Sequence, residues 1–193
     1  MSILTGIFGG SFNPIHNGHI QLAEALLRNG YIDEMWLLVS PRNPFKKDQC
    51  MLDEENRLEM ACRAVAGKPL IRVSDVEFNL PRPSYMWKTL ESIRLQYPGR
   101  EFVLIIGADN WLSFSSWKHP EKILEHHKVL IYPRKGYPID AKSLPENVKL
   151  TDSPLFPVSS TEIRTKIKNK EAFEEWLPCP VYELIKENNW YSE

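Results

Sequence analysis

The residues best suited to chemistry lie in one early stretch, 3–20, ILTGIFGGSFNPIHNGHI. His16 and His19 are three apart, so on a helix they share one side of a single turn. Gly9 and Gly10 precede them, and a backbone without Cβ can turn sharply there and approach a ligand closely. Ser11 and Asn13 are turn formers with hydrogen-bonding side chains, and Pro14 ends a strand. Asn17 reads as the N-cap of a helix over 18–29, with Gly30 as its stop. Such a helix start carries unpaired amide N–H groups and the positive end of the macrodipole. Glycine, free amides, a dipole and two imidazoles able to donate or to become cationic make a phosphate site. No Gly-Lys-Ser/Thr follows, and the spacing is not that of a dinucleotide G-x-G-x-x-G either.

A second helix start has the same character. Ser159, Ser160 and Thr161 follow Val158 and precede Glu162, Ile163 and Arg164. The plain alternative is an ordinary Ser/Thr cap. Between the two lies a basic loop, 41–48, with Arg42, Lys46 and Lys47, which leaves the carboxyl end of a strand. That edge is where ligands sit in an open α/β sheet; a solvated surface loop is the other reading. Gly107 and Asp109 follow a later strand, where Asp109 can accept from ribose hydroxyls or cap the next helix. Trp111, Phe114 and Trp117 have the helical spacing of core residues, yet a planar base also needs a flat partner.

The elements that must position these groups are legible from periodicity. Short apolar runs predict strands at 3–8, 35–39, 70–78, 102–106, 129–132 and 156–158. Helical patterns span 52–66 and 85–97, and two short helices fill 171–190 around Pro178-Cys179-Pro180. Arg57 reads as a solvent-facing residue of its helix, with a site residue as the other reading, and Cys62 as a small core residue. Segment 137–155 is charged and proline-bearing and reads as a surface excursion. Alternation of strand and helix predicts an α/β fold, a Rossmann-like doubly wound sheet. It should be mostly parallel, with five to six strands and helices on both faces. A single domain over 1–193 is expected, with a small C-terminal helical region from about 161 packed on it.

Composition narrows the function. The chain has 193 residues, 42% hydrophobic and 25% charged, with net charge −1, as in an ordinary globular protein with a real core. That charge argues against a general grip on nucleic acid or anionic membrane. Cys50, Cys62 and Cys179 are scattered, which argues against zinc and a disulfide framework. There is no signal-peptide pattern and no run long enough to span a bilayer. A cytoplasmic protein is expected. A homo-oligomer is compatible with the sequence, which does not fix the oligomeric state.

The stretch GGSFNPIHNGHI resembles the G-x-F-x-P-x-H-x-G-H signature of the H-x-G-H nucleotidyltransferases. The string around Ser160 is similar to their S-S-T-x-I-R signature. Between them, SYMWKTL resembles the S-Y-x-x-x-T-L segment of the nicotinate-mononucleotide adenylyltransferase branch. Gly107 to Asp109, Trp117 and the R-x-G of Arg134 to Gly136 follow in the branch's order. Asn13 and Val158 depart from the residues many members carry there, Asp and Ile, and remove no charge the chemistry needs.

The resemblance implies adenylyl transfer from ATP to nicotinate mononucleotide, with His16, His19, Lys46 and Arg164 as catalytic contacts. It implies ATP contacts from Gly9, Gly10, Ser11, Phe12, His16, Gly18, His19, Gly107, Asp109, Ser159, Ser160, Thr161, Ile163 and Arg164. It implies mononucleotide contacts from Ser11, Lys46, Tyr85, Thr89, Trp117 and Arg134, with Trp117 stacked on the pyridine ring. No dense carboxylate cluster suits a protein-caged metal, so Mg²⁺ is expected to be held mainly by substrate phosphates. The rivals are a related transferase using the amide mononucleotide, phosphopantetheine or a cytidylyl donor, and a non-catalytic ATP-sensing module.

Overall fold

The structure, a computed structural model, describes residues 2–41 and 51–192. Six parallel strands form its sheet: β1 Ile3–Gly10, β2 Glu34–Val39, β3 Ile71–Ser74, β4 Arg100–Gly107, β5 Lys128–Tyr132 and β6 Val148–Leu150. Their order is β3-β2-β1-β4-β5-β6. The helices are α1 Asn17–Arg28, α2 Glu54–Ala64, α3 Met86–Gln96, α4 Ala108–Leu112, α5 Pro120–His126, α6 Ser160–Lys168 and α7 Cys179–Glu187.

The strands are apolar on both sides because both faces are covered. Successive residues point to opposite faces, and the core divides accordingly. Phe8, Leu37, Val39, Val103, Ile105 and Tyr132 pack with α1, α2, α6 and α7 in one cluster. Ile7, Trp36, Leu38, Leu104, Ile106 and Ile131 pack with α3, α4 and α5 in the other. The chain reverses direction across the sheet between β1 and β4, which register Ile7 opposite Leu104. Crevices for ligands open at such a switch point, beyond the carboxyl ends of the strands.

Four expectations change. The strand expected over 70–78 stops at Ser74, and Val76–Asn79 forms a 3₁₀ turn that buries Glu77. The strand expected at 156–158 is not part of the sheet; β6 lies inside the segment read as an excursion, paired with β5 through Val129 and Val148. Cys62 is exposed, since α2 buries Arg57, Met60, Ala61 and Ala64 instead. At the end of the chain, a 3₁₀ turn at Glu174–Trp176 stands where the first of two short helices is expected.

Candidate active site

The turn between β1 and α1 is built from side chains that lock one another. His16 takes the N-cap position expected of Asn17, whose amide instead donates to the Glu175 carbonyl at 2.9 Å. The His16 backbone N–H donates to His19 Nδ1 at 3.1 Å, and the two imidazoles stack with centroids 3.7 Å apart. With Nδ1 accepting, a neutral His19 carries its proton on Nε2. Phe12 packs edge-on against His19 at 5.0 Å and against Phe8 at 5.8 Å, fixing the His19 ring. Phe12 has φ 45°, a left-handed backbone that costs a bulky residue on the order of 1–3 kcal/mol and persists only where its surroundings enforce it.

Burial changes the character of His16. It is 6% exposed, and desolvation, helped by the Arg134 charge, lowers its pKa to about 3. The ring is therefore neutral near pH 7, and of the two roles open to it, donor or cation, burial favours that of a neutral hydrogen-bonding group. Its side chain faces the His19 backbone N–H in a capping box at the start of α1, and its Nδ1 is buried there.

The start of α6 lies directly on this turn. Arg164 Nη1 donates to the Asn13 carbonyl at 2.7 Å, and Ser160 Oγ donates to the Pro14 carbonyl at 2.9 Å. Gly18 has room only for hydrogen on its α-carbon, because an added Cβ would stand 2.7 Å from Val158. Ser159 caps α6, its Oγ accepting from the Glu162 N–H at 3.2 Å and donating to the Glu162 carboxylate at 2.7 Å. Two pieces of chain 150 residues apart thus meet at one turn.

Two clefts flank that turn, on opposite faces of the sheet. One is lined by Phe8, His16, Gly18, His19, Tyr132 and Arg134. The other holds Gly9, Gly10, Ser11, Tyr85, Trp117 and Gly107, floored by Leu104 and Ile106. Glu77 and Lys118 are the charged groups of this second lining among the described residues. Asp109 stands between the clefts, its Oδ1 3.5 Å from Arg134 Nε, and Gly107 leaves the space that both side chains use.

The sequence pattern of the cytidylyltransferase-like family matches residues 7–166. A Bacteroides fragilis protein named "Probable nicotinate-nucleotide adenylyltransferase" is 47% identical over 94% of this chain and 90% of its own length. A Bacteroides thetaiotaomicron protein of the same name is 45% identical over 95% and 91%. The chain belongs to the nicotinate-nucleotide adenylyltransferase family. A Plasmodium falciparum nicotinic acid mononucleotide adenylyltransferase complexed with NaAD shares the fold, with a TM-score of 0.82 at 20% identity over 98% of this chain and 97% of that one.

Against the contacts that membership in this adenylyltransferase family implies, the structure sorts the residues. Gly9, Gly10, Ser11, Tyr85, Gly107 and Trp117 line one cleft; His16, Gly18, His19 and Arg134 line the other. Arg134 is thus placed with the histidines, away from the Trp117 wall where the mononucleotide contacts were expected. Thr89 is fully buried behind that wall, its hydroxyl donating to Glu77 Oε1 at 2.9 Å, so its side chain does not reach the cleft. The Ile163 side chain lies wholly in the core. Thr161 is exposed and accepts from Arg164 Nη2 at 3.3 Å. Trp111 stacks on buried Phe114, 5.1 Å between centroids, and Phe114 in turn supports Trp117 at 5.3 Å. Lys46, with Arg42 and Lys47, lies outside the described residues.

Two buried charges escaped the sequence reading. Arg57 has no exposed surface, and Glu77 is 3% exposed and accepts from Thr89 and from Ser84 Oγ at 3.2 Å. Burial raises the Glu77 pKa against the hydroxyls of Ser40, Thr89 and Ser84, which lower it. The signal for Arg57 was in the pattern: 57, 60, 61 and 64 share the inward stripe of α2.

Proposed function

We infer that this chain transfers the adenylyl group of ATP to nicotinate mononucleotide, giving nicotinate adenine dinucleotide and pyrophosphate, as a cytoplasmic step of NAD biosynthesis. The observation that carries this reading is the meeting of the His16–His19 turn with the α6 start at one point between two clefts. A dinucleotide has that layout: two nucleosides apart, phosphates between them.

An oxygen of the mononucleotide phosphate bonds to the α-phosphorus of ATP as the bond from that phosphorus to the pyrophosphate oxygen breaks. The attacking phosphate is already ionised, so neither a covalent enzyme intermediate nor a strong base is needed. The protein's work is to align two anions that repel each other and to donate to charge on the phosphoryl oxygens. A neutral His16 suits this role as a fixed dipole, His19 presents its Nε2 proton, and Arg164 brings positive charge to the turn. Trp117, braced by Phe114, offers the flat wall for the pyridine ring. Mg²⁺ would be held mainly by substrate phosphates, whose charge it would neutralise. The described residues contain no group of three His, Cys, Asp or Glu able to hold it alone.

The test is pyrophosphate release from ATP with the acid and amide mononucleotides compared side by side. Faster release with the acid supports the reading; preference for the amide, or release with neither, overturns it.

A further inference from the structure

Arg57 is a buried cation in contact with no substrate cleft, and no carboxylate pairs with it among the described residues. Its guanidinium is used on backbone carbonyls. Nη1 donates to Ser11 O at 2.6 Å and to Ser40 O at 2.8 Å, Nη2 to Pro41 O at 3.0 Å, and Nε to Leu52 O at 2.9 Å. Ser11 and Ser40 line the Trp117 cleft. Their side chains are at the surface of the site while their carbonyls are held from behind.

In a planar trans peptide, C=O and the following N–H point in opposite directions. Holding the Ser11 carbonyl toward Arg57 therefore turns the Phe12 N–H the other way. Two further carbonyls of the turn are held by side chains, Asn13 O by Arg164 and Pro14 O by Ser160; Pro14 has no N–H to orient, so only the second restraint turns a following N–H, that of Ile15. Left-handed Phe12 sits between the first two of these restraints. Two guanidiniums, one from α2 and one from α6, thus clamp the carbonyls on either side of the strained residue. An anion approaching a turn whose carbonyls are withdrawn meets N–H dipoles; one whose carbonyls swing free meets oxygen lone pairs.

We propose that Arg57 is a positioning residue that sets the polarity of the phosphate turn by withdrawing the Ser11 and Ser40 carbonyls from the site. The assignment rests on the reading that phosphates bind at this turn. A planar fork with fixed donor directions suits four carbonyls spread around it; an ammonium replaces it only in part.

Arg57→Met and Arg57→Lys test this. Each is checked for a cooperative melt and a native circular dichroism spectrum. ATP and adenosine affinities are then measured by calorimetry, and turnover by pyrophosphate release. The expected result is an ATP-to-adenosine affinity ratio lowered about tenfold in Arg57→Met, the size of one lost charge-assisted contact, with kcat falling in parallel. Arg57→Lys should restore part of both. A structural defect would weaken the two ligands alike, so an unchanged ratio in a folded variant overturns the proposal. Unfolding of both variants overturns it too, making Arg57 a staple of the fold. A wild-type protein that binds ATP yet turns over no pyridine mononucleotide would refute the functional reading and leave Arg57 to be judged on the affinity ratio. Failure of the wild type to bind ATP would remove both.

Discussion

The two clefts at the carboxyl end of β1 share a strand and a turn, yet they are made of different material. On the α1 and α6 face His16, His19, Tyr132 and Arg134 contact one another and stand among apolar Leu22, Leu155, Phe156 and Val158. On the α3 and α4 face the strand ends Leu104 and Ile106 and a braced indole stand with the hydroxyls of Ser11, Ser40 and Ser84 and the charged Glu77 and Lys118. The cause is the period of two along each strand, which sends Ile7 and Phe8 to opposite sides. One sheet thereby builds one cleft with imidazoles and a guanidinium and another with an indole wall, and the turn between them belongs to both. The division predicts that damage on one side should be read in one substrate, and damage at the turn in the chemistry itself.

The turn gives the largest effect. His19→Ala should lower kcat on the order of 10²–10³-fold, comparable to removing one preorganised donor to a developing oxyanion. Both KM values should move far less. Steady-state pyrophosphate release checks this; near-normal turnover would take His19 out of the reaction.

On the flat-walled side, Trp117→Ala should raise KM for the mononucleotide about tenfold, within the ~1–3 kcal/mol of one base stacked on an aromatic side chain. KM for ATP should stay within about twofold if the clefts act separately. The opposite pattern would exchange the two sites.

What the sequence shows and hides follows from range. The β1–α1 turn is legible because its chemistry is local: glycines, one proline and two histidines act within twelve residues. The fold is legible because apolar runs and helical stripes recur along the chain. Buried charge is not legible in that way. Glu77 falls at a polar position of the strand predicted over 70–78, and only the turn after Ser74 carries it inward to the hydroxyls of Ser84 and Thr89. Thr89 looked like a contact residue because motif spacing records proximity to a site and not which side of its wall a side chain occupies. Strand β6 is three residues at a sheet edge, too short to stand out, whereas the apolar Phe156 and Val158 pack against the core without entering the ladder.

Arg134 sharpens the comparison further, because resemblance put it with the mononucleotide and the structure puts it beside His16, Tyr132 and Asp109. Its Nη2 donates to the Tyr132 hydroxyl at 3.0 Å, and its side chain remains 40% exposed. A solvent-screened cation of this kind contributes modestly. Arg134→Ala should therefore raise KM for ATP about fivefold and leave the mononucleotide KM nearly unchanged. A selective loss of mononucleotide affinity would return Arg134 to the other cleft.

The smallest effect tests the neutral imidazole through stability. His16 titrates near pH 3 when folded and near 6.5 in a model peptide. Between those values the unfolded chain binds a proton that the native protein refuses, so stability falls as pH drops through that window. The slope from this one group is at most about 1.4 kcal/mol per pH unit. Glu77 acts with the opposite sign, since its raised pKa costs stability as pH climbs above the usual glutamate value. Comparing wild type with His16→Gln cancels Glu77 and isolates the histidine. Urea unfolding at pH 7, 6 and 5 should give the variant a flatter decline than the wild type. Equal slopes would mean that His16 takes up its proton in the native protein, and the donor at the turn would then be an imidazolium after all.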